Sequence, residues 1–288
     1  MKFLAARDGE PAPGTVALFG APFDATVTYR GGARFGPARI REASYGLEEY
    51  SARLDASLAD VPFVDVGDLD LAHGSPARAV DEVARAAAGL ARRGAVPFML
   101  GGEHLLTLGA VRGLAEVYPD LAVIQLDAHA DLREDWMGEP LSHATVMRRV
   151  SEIVGAGSLF PLGIRSGTAE EIAWGRAHTR WPRDGQDLAA QARAAAAAAA
   201  GRPVYVTIDI DVLDPSAAPG TGTPEPGGVS FLDLLAALDQ LRGLRIVACD
   251  LVETAPPLDP SGRTEVTAAA ICRHVLIGWF GGAGGGAF

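Results

Sequence analysis

The strongest constraint in this chain is its rhythm. Short runs rich in Val, Ile and Leu recur at 16–20, 62–66, 96–100, 121–126, 159–164, 204–210 and 244–250, and longer segments with helical spacing separate them. Apolar runs of this length suit strands buried on both faces, and the segments between them are long enough for right-handed crossovers. Candidate helices cover 37–50, 76–93, 104–117, 143–154, 169–178, 188–200, 231–241 and 264–276. The pattern predicts an α/β fold, a three-layer α/β/α arrangement around a mostly parallel central sheet. No Pro/Gly/Ser linker splits the rhythm, so residues 1–288 are read as a single domain. Two segments stand apart: residues 194–200 are all alanine and read as a surface helix that buries little, and the Gly-rich tail at 281–288 is expected to fray.

Composition narrows the function classes. Hydrophobic residues make up 48% of the 288, enough for a substantial core. A net charge of -11 and a pI near 5.0, with no local Lys/Arg run, set the chain's field against a phosphate backbone and exclude nucleic acid as a partner. The same field mildly favours a cationic small molecule. Cys249 and Cys272 are the only cysteines, too few for a disulfide framework or a cysteine-based zinc site, and they read as buried free thiols in a reducing compartment. The amino-terminal residues have no apolar signal core, and no later run is of membrane length, so the expectation is a soluble, cytoplasmic protein with no membrane partner.

The chemistry lies where predicted strands end. One strand runs into Asp127-Ala128-His129-Ala130-Asp131, with three metal-capable side chains at alternating positions. A second ends at Asp209-Ile210-Asp211, and a third at Gly101-Gly102-Glu103-His104, where the glycines permit a tight turn. Alone, an Asp-x-Asp after a strand is usually a turn or a cap. Three strand ends bearing the same chemistry are a different matter, because open α/β sheets place ligand sites at their carboxyl rim. His104, Asp127, His129, Asp131, Asp209 and Asp211 would bring four carboxylates and two imidazoles together, and the carboxylates cannot all ionise without cations between them. Two divalent metals roughly 3.5–4 Å apart satisfy that set. Its oxygen-rich character with nitrogen donors favours Mn2+ over zinc.

These residues resemble the ureohydrolase (arginase/agmatinase) family, and agmatinases most closely. The resemblance runs from about Gly20 to Ile277 through Arg30-Gly31-Gly32, Gly101 to His104, Asp127 to Asp131, Ser142-His143, Asp209 to Pro215, Ala218 to Pro224 and Asp250 to Glu253. It implies an arginase-like fold and a hydrolase with two Mn2+ per subunit. It puts His104, Asp127, Asp131 and Asp209 on one metal and Asp127, His129, Asp209 and Asp211 on the other. It also implies that hydroxide attacks a guanidinium carbon, that His143 gives a proton to the departing amine, and that Glu253 pairs with the guanidinium. Agmatine, cleaved to urea and putrescine in polyamine biosynthesis, is the expected substrate; aminopropylagmatine, guanidinobutyrate and arginine are the alternatives within the family. A metal-binding regulatory protein without turnover is the alternative outside it. A homo-oligomer, trimer or hexamer, is implied as well.

Some positions depart from the family pattern. Ala144 replaces the glycine common after the shuttle histidine and adds a methyl near the substrate path. Glu103 and Leu105 stand where aspartate and serine are frequent, and Glu265 where alanine is. The loop 132–141 lacks the Thr/Ser/Asn set with which arginases hold an amino acid. It offers instead Glu134, Asp135 and Glu139 for a distal ammonium, or Arg133 for a carboxylate.

Overall fold

The computed structural model describes residues 1–282, so the tail from 283 onward lies outside the described residues. In chain order the elements are β1 (Val16–Ala21), α1 (Gly36–Ser44), β2 (Tyr50–Ser51), β3 (Ala56–Ser57), β4 (Phe63–Asp68), α2 (Pro76–Arg92), β5 (Val96–Gly101), α3 (Leu106–Ala115) and β6 (Ala122–Leu126). They continue with α4 (Val146–Val154), β7 (Leu159–Leu162), α5 (Ala169–His178), α6 (Leu188–Ala199), β8 (Pro203–Asp209), α7 (Phe231–Gln240), β9 (Arg245–Val252) and α8 (Arg263–Phe280).

Seven strands form one sheet in the order β4-β1-β5-β9-β8-β6-β7, with every pairing parallel. The alternation of side chains along each strand divides the core in two. In β1, Val16 and Leu18 join the cluster made with α1, α6, α7 and α8, while Ala17 and Phe19 join the one made with α2, α3 and α4. The runs of β1, β5, β6, β7 and β8 are continuous because both faces of those strands are covered, whereas the edge strand β4 leaves Val66 exposed. The antiparallel pair β2–β3 lies outside this sheet and was not foreseen; two residues per strand are too short to leave a periodic signal.

The alanine run corrects one expectation. Ala192, Ala195 and Ala199 are buried, at the three- and four-residue spacing of a helix face, and only the other side of α6 is exposed. Methyl side chains let this helix lie close against its neighbours, so the segment belongs to the core as well as the surface. Cys249 and Cys272 are buried and free, as expected.

Because all seven strands run the same way, their carboxyl ends share one rim. The segments after β5, β9, β8 and β6, four neighbours in the middle of the sheet, carry His104, Glu253, Asp209–Asp211 and Asp127–Asp131 respectively. Strand order therefore gathers residues that lie up to 149 positions apart, the separation of His104 and Glu253.

Candidate active site

Each of the four strands ends in a different local device. At β5 the chain passes Gly102, where a Cβ would lie 1.9 Å from the Phe23 carbonyl oxygen, so glycine is required for close approach of two backbones. The predicted helix at 104 starts only at Leu106, which leaves His104 in the preceding turn. After β6 the strand stops at Leu126, and Asp127 to Ala130 continue in loose pairing with the segment at Arg165 and Ser166. Asp131 then adopts a positive φ of 52°, so the bend rather than strand alternation aims its carboxylate. After β8, Asp209 caps a short 3-10 turn through Asp211 N–H, and Asp211 projects from that turn. Glu253 follows β9 with a φ of 62°. Two non-glycine residues are thus held in this sparsely populated region at one rim, a conformation that the surrounding structure must sustain.

The six candidate ligands come together. His104 Nδ1 lies 3.2 Å from Asp127 Oδ2, 3.2 Å from Asp131 Oδ2 and 3.4 Å from Asp209 Oδ2. His129 Nδ1 lies 2.9 Å from Asp211 Oδ2 and 3.8 Å from Asp127 Oδ1. The two oxygens of Asp127 therefore face different histidines. Two groups of donors are close enough to hold an ion each: His104, Asp127 and Asp209, and Asp127, His129 and Asp211. Asp131 approaches the first group through His104. Asp209 faces the first group only, since its other oxygen caps the Asp211 N–H at 2.9 Å.

The donor atoms fit metal ions better than they fit one another. His104 Nδ1 and Asp211 Oδ2 are buried without a hydrogen-bond partner, although each lies close to opposite charge. Donors that point at a common centre at about 2.1 Å stand about 3.0–3.4 Å apart without pointing at each other. On its other side His104 is fixed, with Nε2 2.9 Å from Thr207 Oγ1, which leaves Nδ1 facing the carboxylates.

Electrostatics tell the same story. Burial, reinforced by the Asp127 charge, pushes Asp131 up to about 6; burial and Asp211 hold Asp209 well above the usual carboxylate range. Burial opposes charge on His129 too, but Asp211 and its neighbours outweigh it and raise that imidazole to about 11. Burial likewise works against ionising Asp127, yet the His104 and His129 imidazoles bring it down to about 2. Without metal, the site must take up protons to tolerate its own carboxylates.

His143 and Glu253 face the same cavity, of about 290 Å³, whose wall also includes His104, His129, Asp131 and Asp209. His143 opens a 3-10 turn capped by Ser142, with Ser142 and Thr145 bonding reciprocally. Its Nδ1 lies 3.6 Å from Glu253 Oε1, and that oxygen accepts the His104 N–H at 2.7 Å. Burial disfavours charge on His143, but Glu253 outweighs it and raises the imidazole above its ordinary value. Ala144 lines the cavity, so its extra methyl forms part of the cavity wall.

The loop after Asp131 differs from its reading in sequence. Glu134 pairs outward with Arg148 and Arg149, Asp135 accepts the Gly138 N–H at 2.8 Å, and Glu139 pairs through its backbone with Trp136. None of these three acids lines the cavity; Arg133, Trp136 and Glu171 do. The Arg133 guanidinium stacks on the Trp136 ring at 4.6 Å and its Nε lies 3.4 Å from Glu171 Oε2. Glu171, contributed by α5, was missed because its capping box with Thr168 reads in sequence as ordinary helix chemistry. Thr26 and Thr28, which reach His143 from the loop after β1, were missed as well, since no periodic signal marks a loop threonine. Leu105 is core, and Glu103 binds Thr26. Nothing in the structure explains the buried Glu265.

Comparison with known proteins agrees over most of the chain. The sequence profile of the Arginase family matches residues 14–278. The agmatinase of Bacillus subtilis (strain 168) is 44% identical over 279 residues, 96% of each chain. The N(1)-aminopropylagmatine ureohydrolase of Thermococcus kodakarensis is 39% identical over 249 residues, 85% of this chain and 84% of that one. The crystal structure of agmatine ureohydrolase of Thermoplasma volcanium superposes with a TM-score of 0.86 at 31% identity, covering 96% of this chain and 92% of that one.

Proposed function

The chain belongs to the arginase family, and on that premise we propose how its residues divide the hydrolysis of a guanidino C–N bond. Agmatinases 44–45% identical to it over at least nine-tenths of its length identify the reaction as agmatine and water giving putrescine and urea. The observation that carries the division of labour is the pair of donor groups meeting at the buried Asp127, with His104, His129 and Asp209 among them lining a cavity that His143 and Glu253 also line.

Arginase-family hydrolysis depends on a binuclear metal centre. His104, Asp127, Asp131 and Asp209 would hold one ion and Asp127, His129 and Asp211 the other; the oxygen-rich donors favour Mn2+. Such a pair, when bound, lowers the pKa of water toward neutrality and so supplies the nucleophile. Glu253 offers the planar guanidinium a carboxylate for paired hydrogen bonds, orienting the carbon for attack. Once the carbon is tetrahedral, the bond to the chain nitrogen breaks only as that nitrogen gains a proton, and His143 gives it. Glu253, beside the ring, stabilises the charged imidazole before transfer.

The far end of agmatine carries an ammonium group. Glu171 is 5% exposed, and its carboxylate accepts the N–H of Leu132, the residue next to Asp131, at 3.0 Å. A carboxylate one residue away from the metal floor, on the cavity wall, lies within reach of a four-carbon chain. We assign the ammonium to Glu171, with Arg133 and Trp136 closing that end. The described residues act as one catalytic unit, and the family resemblance implies assembly into trimers or hexamers, which light scattering would measure. Buried free thiols fit a reducing, cytoplasmic setting; no described helix is long and apolar enough to cross a membrane.

The test is urea release by manganese-loaded protein from agmatine, aminopropylagmatine, arginine and guanidinobutyrate. Agmatine should give the highest kcat/KM. A preference for guanidinobutyrate would mean that Arg133 rather than Glu171 meets the substrate, and release from none would leave a metal-binding protein without turnover.

A further inference from the structure

His143 is gripped from the loop that follows β1. The Thr26 hydroxyl accepts the His143 backbone N–H at 3.1 Å and donates to Glu103 Oε1 at 2.7 Å, while the Thr26 N–H donates to Glu103 Oε2 at 2.8 Å. Glu103 is fully buried, next in sequence to His104. Its extra methylene over aspartate lengthens its reach toward the loop. Two residues beyond Thr26, the Thr28 hydroxyl lies 3.0 Å from His143 Nε2. The opposite edge of the ring presents Nδ1 toward Glu253, 3.6 Å away.

A histidine that delivers a proton must present the correct nitrogen. A neutral imidazole carries one N–H, and the hydrogen bond made at one nitrogen decides the role of the other. Rotation about χ2 is broad and roughly two-fold, so a ring with no partner at Nε2 exchanges its two edges readily. We propose that Thr28 is a positioning residue for His143: its hydroxyl accepts the Nε2–H and keeps Nδ1 turned toward Glu253 and the departing amine, while the Thr26–Glu103 clamp holds the backbone beneath the ring. The inference rests on the proton-donor role given to His143 above. It accounts for a pair of loop threonines that belong to neither donor group, and for glutamate at 103.

Thr28 is only half-buried, on a loop, so its replacement leaves the core untouched. In Thr28→Val, which keeps the shape and removes the acceptor, kcat for agmatine should fall about 10–100-fold, part of what acid catalysis contributes, with KM, metal content and melting temperature unchanged. Thr28→Ser should restore kcat to near the wild-type value. Imidazole nitrogen NMR of the full-length chain, labelled with 15N-histidine, free of paramagnetic metal and at a pH high enough to leave His143 neutral, should show His143 Nε2 as the protonated nitrogen in wild type and a mixture of tautomers in Thr28→Val. Unchanged kcat in Thr28→Val, a Thr28→Ser enzyme as slow as the valine variant, or the same tautomer in both proteins would overturn the assignment. Should wild type release no urea from agmatine, the substrate reading fails, and the tautomer measurement still decides the role of Thr28.

Discussion

The floor and the far wall of the cavity are built differently. The floor is made of side chains at the ends of β5, β9, β8 and β6, buried except for the half-buried His129 and Asp131, and held by a sheet covered on both faces. The wall is made by Arg133 and Trp136 on a loop and by Glu171 on α5, and the outward side of that loop is exposed, with Met137 at 90% and Glu134 at 65%. A constellation that must hold donors at coordination distance belongs on rigid strand ends, whereas a surface that chooses among substrates can vary on a loop. On the proposed division of labour, the floor carries the chemistry and the wall the selection.

Breaking the floor should have the largest effect. Asp127→Asn takes a charge from the carboxylate that faces both histidines, and urea release should fall by about 10³-fold or more together with bound manganese, read by metal analysis of the purified protein. A variant that keeps both ions and most of its activity would show that Asp127 is not the shared ligand.

An effect confined to one substrate should come from the wall. Glu171→Gln should lower kcat/KM for agmatine about 10–100-fold, the worth of a hydrogen bond to a charged group, and leave cleavage of butylguanidine, which lacks the ammonium, nearly unchanged. Equal losses on both substrates would make Glu171 a structural cap for α5 and nothing more.

Acidity should separate floor from wall in the metal-free protein. His129, raised to about 11 in the folded chain, binds its proton more tightly there than in the unfolded chain, near 6.5. Its contribution to stability is therefore complete below about 6.5 and disappears as pH rises through about 11. Asp131, raised to about 6, acts in the same direction between about 3.8 and 6. Melting temperatures of metal-free protein should decline from pH 6 to 10 more steeply than those of manganese-loaded protein, in which ligands replace protons. Parallel curves would mean that the donor cluster is not the proton-binding centre.

The smallest effect belongs to the outer face of the loop. Glu134→Ala removes exposed pairs with Arg148 and Arg149, worth about 0–1 kcal/mol, and should change neither kcat/KM nor melting temperature measurably. A clear loss of agmatine turnover would move the ammonium site from Glu171 back toward the acidic loop.

Legibility in the sequence followed the same division. The strands were readable because burial on both faces makes them continuous apolar runs, as at Val16–Ala21 and Val96–Gly101. The six donors were readable because each stands at the end of such a run or within a few residues of it. The alanines of α6 were misread since composition does not say which face of a helix is covered. Glu134 and Asp135 looked like substrate ligands for a related reason: a loop's sequence does not say which way its side chains point.

His143 and Glu253 entered as companions through the family resemblance; what the chain determined by local pattern alone was the parallel α/β architecture and the metal-capable strand ends. These follow from periodicity and motif, which act over a few residues. The tertiary structure decided the rest: that β5, β9, β8 and β6 are neighbours, that Asp131 and Glu253 are aimed by left-handed backbone, that Glu171 and not Glu134 lines the cavity, and that Thr28 meets His143 across 115 positions. Strand order and side-chain direction depend on contacts between distant segments, and those contacts exist only once the sheet has closed its helices around it.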